Sequence, residues 1–211
     1  MNDVIAAITA AAQAMSIWEV IAVFLGFAYL ALIMKQNIWG WYAAFGSTAI
    51  FSWLFWDVSL VMESGLNVYY LIMAVYGWWV WRGNSEPDTE IKTEKLIQTW
   101  SVGRHVFVIG SVILISLATG YGLEKNTTAA LPYLDSFTTW GAVITTYMVA
   151  QKVLENWWYW LVIDSVAIYL YVDRELYLVA LQMAVYIVMI FFGWFIWQKE
   201  YRNQKPVTAN V

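Results

Sequence analysis

Apolar runs of roughly membrane-spanning length alternate with short polar interruptions along this chain. The pattern predicts seven membrane helices, at about Ile17–Met34, Ile38–Phe55, Leu60–Trp81, Val102–Tyr121, Phe137–Ala150, Asn156–Tyr171 and Leu176–Trp197. Between them lie a Lys35-Gln36-Asn37 turn, a break at Asp57, a polar loop over 83–98 that contains Pro87, a turn-rich stretch ending near Pro132, and short breaks around Lys152 and Arg174. Residues 1–15 are alanine-rich and have no basic leading region, so they read as a lead-in to the first helix and not as a cleaved signal peptide. The tail from Gln198 onward is polar.

The same motifs return along the chain. Asn37-Ile38-Trp39-Gly40-Trp41 echoes Asn156-Trp157-Trp158-Tyr159-Trp160, Asp57 echoes Asp173, and Gly77-Trp78-Trp79-Val80-Trp81 echoes Gly193-Trp194-Phe195-Ile196-Trp197. The last two pairs share an offset of 116 residues and the first has 119, a difference that a three-residue slip in a loop accounts for. These echoes predict two three-helix repeats, 17–81 and 137–197, joined by a linking helix at 102–121. An odd number of helices between the repeats makes them parallel, related by an axis along the membrane normal, with a substrate site between them near the midplane.

Composition changes the picture in one direction: 62% of residues are hydrophobic and 12% charged, which makes the chain an all-α integral membrane protein with a single membrane domain over 1–211. Nine of the eleven Lys and Arg residues fall in one set of alternate loops (Lys35, Arg82, Lys92, Lys95, Arg104, Lys152, Lys199, Arg202, Lys205), and Lys125 and Arg174 fall in the other. By the positive-inside rule the N-terminus is outside and the C-terminus cytoplasmic. The net charge of −4 comes from small loops, and no basic stripe marks a nucleic-acid surface. With no cysteine and one histidine, thiol catalysis, thiolate metal sites and paired haem histidines are excluded, and no nucleophile–base constellation can be drawn. The expectation is a protein that is not an enzyme and has no metal or cofactor.

Candidate chemistry concentrates where polar groups interrupt apolar helices. Asn156, Trp160 and Asp164 fall at i, i+4 and i+8 of the sixth segment and share a face. A carboxylate at that depth is costly and marks a solute or ion pathway. Glu63 and Asn67 share a face of the third segment, and Gln182 and Tyr186 share one of the seventh. With Trp157 or Trp160 as an aromatic surface, these eight residues are the candidate substrate site: an aromatic sandwich, carboxylate charge, and amides for hydroxyls. Asn156 stands at a helix start, where an amide either caps the helix or faces a ligand; Gln182 serves equally as glue between helices. Trp78, Trp79 and Trp81 are expected in the interfacial belt, and His105 at the interface.

Glu155-Asn156-Trp157-x-x-Trp160, Leu176-Tyr177 at the head of the seventh segment and Tyr76-Gly77-Trp78 at the end of the third together resemble the PnuC family of vitamin transporters, across essentially the whole chain. The resemblance implies seven helices arranged 3+1+3, as in the SWEET sugar transporters. It also implies facilitated uptake of nicotinamide riboside across the bacterial inner membrane, trapping of the product by a cytoplasmic kinase, and a homotrimer. Some riboside-type members carry Gln and Asn in the third helix where this chain has Asn67 and Ala74, and Asn where it has Asp164. Those departures leave thiamine or riboflavin open as the vitamin. A proton-coupled transporter, with Asp164 as the carrier, and a non-transport membrane subunit are the remaining alternatives.

Overall fold

The computed structural model describes residues 2–57, 61–83, 95–127 and 130–204, the side chains of residues 2 and 61–63 excepted. Eight helices run through them: α1 (Asn2–Ala14), α2 (Ile17–Met34), α3 (Trp39–Asp57), α4 (Val61–Trp81), α5 (Val102–Asn126), α6 (Pro132–Ala150), α7 (Asn156–Asp173) and α8 (Tyr177–Gln204). Seven of them coincide with the predicted segments. Of these, α2, α5 and α8 meet the length and hydropathy of a membrane span on their own.

The eighth helix is a correction. Residues 2–14 form a helix of their own, because the chain breaks at Ser16, where a capping box starts α2. Ser16 Oγ accepts from Glu19 N at 3.2 Å, and Ser16 N donates to Glu19 Oε2 at 2.6 Å. Each group satisfies an amide that a helix start leaves open. α6 begins five residues earlier than expected, with Pro132 in the first position, where a missing N–H costs nothing.

The chain divides into two compact units. One holds residues 15–98, 146–154 and 192–211, and therefore α2, α3, α4, the last turn of α6 and the distal half of α8. Here α2 packs on α3 and α3 on α4. Trp41 is 2% exposed and lies edge-on to Trp81 at 5.4 Å, and Gly77 lets it in: a Cβ on Gly77 would overlap the indole. The other unit holds residues 1–14, 99–145 and 155–191. In it Ile163 of α7 meets the backbone of α6 at Gly141, where a Cβ would stand 3.0 Å from Ile163 Cγ1. Trp140 Nε1 reaches Thr119 Oγ1 at 3.2 Å, tying α6 to α5.

Three helices end in the same way without glycine. Gln36 (φ 54°), Lys152 (φ 53°) and Glu175 (φ 59°) adopt the left-handed conformation just past α2, α6 and α7. At each, two amides turn back on the helix: Gln36 N to Ile33 O and Asn37 N to Leu32 O, Lys152 N to Val149 O and Val153 N to Met148 O, Glu175 N to Val172 O and Leu176 N to Tyr171 O. This is the Schellman closure, usually completed by glycine because a Cβ in that conformation costs about 1–2 kcal/mol.

Gln36 and Lys152 are 116 residues apart, the offset shared by Asp57 with Asp173 and by Trp81 with Trp197. The turn geometry thus needs no three-residue slip: it pairs Trp41 with Trp157, both nearly fully buried, and puts Gly40, not Asn37, opposite Asn156. The apparent offset of 119 came from matching two asparagines in tryptophan-rich surroundings.

Candidate solute-binding site

α7 carries tryptophan and valine at nearly every turn and has no glycine or proline, so nothing interrupts its backbone hydrogen bonds. Its buried positions are Asn156, Trp157, Ile163, Asp164, Ala167 and Leu170, a stripe at i, i+3/i+4, i+7 spacing. Trp158, Val162 and Tyr169 on the opposite face are exposed, as a lipid-facing surface requires.

Asn156 is fully buried and is the first helical residue; Glu155 occupies the capping position in a helical conformation, with no side-chain cap bond. Of the two roles open to the Asn156 amide, the structure removes the N-cap. Trp157 is 1% exposed and Trp160 half-buried, so one indole is enclosed and the other presents part of its surface. Two turns further along, Asp164 is 6% exposed. Among the described residues no basic side chain pairs with it.

On α8, Gln182 Nε2 donates to the Tyr186 hydroxyl at 2.9 Å. The structure thus pairs Gln182 with Tyr186 on α8 and buries Asp164 on α7 in the same compact unit: a carboxylate acceptor, a phenol that both donates and accepts, and an amide. Asn67 is half-buried on α4, in the other compact unit. Glu63 falls in the first turn of α4, and its side chain lies outside the described residues.

Sequence reasoning missed two polar constellations. His105 of α5 is not merely interfacial: its Nδ1 lies 2.8 Å from the Tyr159 hydroxyl and its Nε2 4.0 Å from Glu155 Oε1, while Glu155 Oε2 accepts from Trp100 N at 3.4 Å. The residues were visible, but their approach is a contact between helices far apart in sequence. The second constellation corrects the expected aromatic belt. Trp79 is exposed as expected, but Trp81 is 5% exposed and donates its indole N–H to Ala150 O at 3.0 Å. A tryptophan at the end of an apolar run looks the same in sequence whether it faces headgroups or a neighbouring helix.

A family model described as nicotinamide mononucleotide transporter matches residues 16–199. The chain belongs to this family, the PnuC family of membrane transporters. Among curated relatives of this PnuC-family chain, the riboflavin/roseoflavin transporter RibM of Streptomyces davaonensis is 22% identical over 195 residues, covering 90% of each chain. The nicotinamide riboside transporter PnuC of Escherichia coli is 21% identical over 194 residues, covering 82% of this chain and 80% of that one. A crystal structure of the vitamin B3 transporter PnuC superposes with a TM-score of 0.72 at 18% identity, over 96% of this chain and 91% of the other. The all-helical fold and the multi-pass membrane character follow; the relatives named differ in the vitamin they carry.

Proposed function

We propose that this protein takes up a flat aromatic vitamin carrying a hydroxylated arm by facilitated diffusion, with nicotinamide riboside as the preferred solute. The observation that carries this reading is the buried Asp164 carboxylate on the helix face that also holds Trp157, in the same compact unit as the Tyr186–Gln182 pair. An unpaired carboxylate in a membrane is unfavourable, and a cationic ring stacked on Trp157 or Trp160 relieves it. Asn156, Gln182 and Tyr186 supply hydrogen bonds to the arm. The eight helices then divide as α2–α4 and α6–α8, two parallel repeats joined by α5, with the peripheral α1 in front. The protein sits in the inner membrane with its C-terminus in the cytoplasm, assembles as a homo-oligomer, trimeric by analogy with its family, and depends on a cytoplasmic kinase to trap the solute.

A second reading is riboflavin, favoured by the relative RibM, which matches 90% of this chain. Ligand titration by tryptophan fluorescence on purified protein, with nicotinamide riboside, thiamine and riboflavin, separates the readings. Tightest binding of nicotinamide riboside supports the first; tightest binding of neutral riboflavin replaces it; tightest binding of thiamine keeps the cation site and changes the vitamin.

A further inference from the structure

One end of the compact unit built on α2–α4 is closed by a reciprocal exchange of hydrogen bonds. Trp81, the last residue of α4, donates its indole N–H to Ala150 O, the last carbonyl of α6, at 3.0 Å. Trp197 of α8 donates to Ile33 O in the last turn of α2 at 3.1 Å. An indole N–H is a donor only, so each bond satisfies a buried donor that would otherwise be costly; Ala150 O ends its helix, whereas Ile33 O also accepts from Gln36 N in the turn after α2. Burial is nearly complete, with Trp81 5% and Trp197 0% exposed.

Between these bonds the two left-handed turns meet. Lys152 Nζ donates to Gln36 Oε1 at 3.1 Å and sits 4.6 Å from the Trp81 ring centroid, with 4% of the residue exposed. Three indoles fill the space in sequence, Trp41 to Trp81 at 5.4 Å and Trp81 to Trp197 at 6.2 Å. The chain entering α5 lies over the same place: Gln98 N donates to Lys152 O at 3.0 Å and Leu154 N to Gln98 O at 2.8 Å. Gln151 joins Lys95 to the Tyr76 hydroxyl.

We propose that Trp81 and Trp197 form a paired latch that closes one mouth of the solute path, each holding a helix end of the other three-helix set, and that solute passes only when both bonds open. This rests on the transporter reading. Simple core packing would need the indole rings but not their N–H groups. The latch needs both, and it joins α4 to α6 and α8 to α2, the pairs that have to part if the two sets move against each other. Lys152, in the turn after α6, couples the halves, since it touches both Gln36 in the turn after α2 and Trp81, whose indole bonds the end of α6.

The absence of native cysteine makes the test clean. In the first arm, Ala74, 2% exposed on the Trp81 face of α4, is replaced by cysteine as a reporter in parent, Trp81→Phe and Trp197→Phe backgrounds. Phenylalanine keeps the ring and removes the N–H. Water-soluble maleimide should label the reporter about tenfold faster in either latch variant, the ratio expected for the loss of one buried hydrogen bond. Labelling at the parent rate in both overturns the latch. In the second arm, Gln36→Cys/Lys152→Cys is bridged by a short bifunctional thiosulfonate in proteoliposomes. Bridging should stop uptake and reduction restore it in the same vesicles; uptake that continues unchanged after bridging overturns the proposal even if the phenylalanine variants do not fold. Should the parent transport none of the vitamins, the transporter reading fails, and the labelling arm still decides whether the end opens.

Discussion

Replacing Asp164 by asparagine removes one charge and almost no volume, so the change isolates what the carboxylate does. Asp164 is 6% exposed on the stripe that also holds Asn156, Trp157, Ile163 and Ala167, and among the described residues it has no basic partner. A charge-assisted contact in such surroundings is worth about 1.5–3 kcal/mol, which corresponds to roughly ten- to a hundredfold in affinity for a cationic ring. Asp164→Asn should therefore weaken nicotinamide riboside and thiamine by that factor. It should change riboflavin by less than about threefold, because the amide keeps an acceptor. Without ligand the variant should be at least as thermostable as the parent, since a buried carboxylate with no basic partner among the described residues has been removed. Fluorescence titration and thermal unfolding in detergent read the two effects separately. If every cation in the panel binds the variant as tightly as the parent, the carboxylate serves packing alone, and the site centres on Glu63 and Asn67.

Other perturbations test the fold that holds the site. Gly77→Ala should destabilise by about 1–3 kcal/mol, because the new methyl overlaps the enclosed Trp41 indole; a thermal midpoint unchanged from the parent would refute that packing. Glu175→Gly should stabilise by about 0.5–1 kcal/mol, since Glu175 is exposed and held at φ 59°; a fall in the midpoint would show that its side chain contributes more than its backbone strain costs.

Much of this architecture was legible in the chain because a bilayer simplifies the code: a run of apolar residues with polar ends is a helix, and α2 spans the predicted Ile17–Met34 residue for residue. The Ser16-x-x-Glu19 capping box was also written in the sequence, but it lies between two apolar stretches, so residues 1–15 read as a lead-in to α2 and not as a helix of their own. The Schellman turns at Gln36, Lys152 and Glu175 carried no signal, since their residues are ones that seldom adopt positive φ. For the site, spacing sufficed to put Asn156, Trp160 and Asp164 on one side of α7, because that needs only helix geometry. It could not show that His105 meets Tyr159, because that contact depends on how separate helices pack.

The most direct measurement is uptake of labelled nicotinamide riboside into proteoliposomes containing only this protein. Facilitated diffusion predicts saturable entry that stops at equal concentrations inside and out, is indifferent to an uncoupler, and continues beyond that point only when a riboside kinase and ATP are enclosed. Accumulation above the outside concentration in kinase-free vesicles, abolished by uncoupler, would make this a proton-coupled transporter, and entry no faster than in protein-free vesicles would contradict the account.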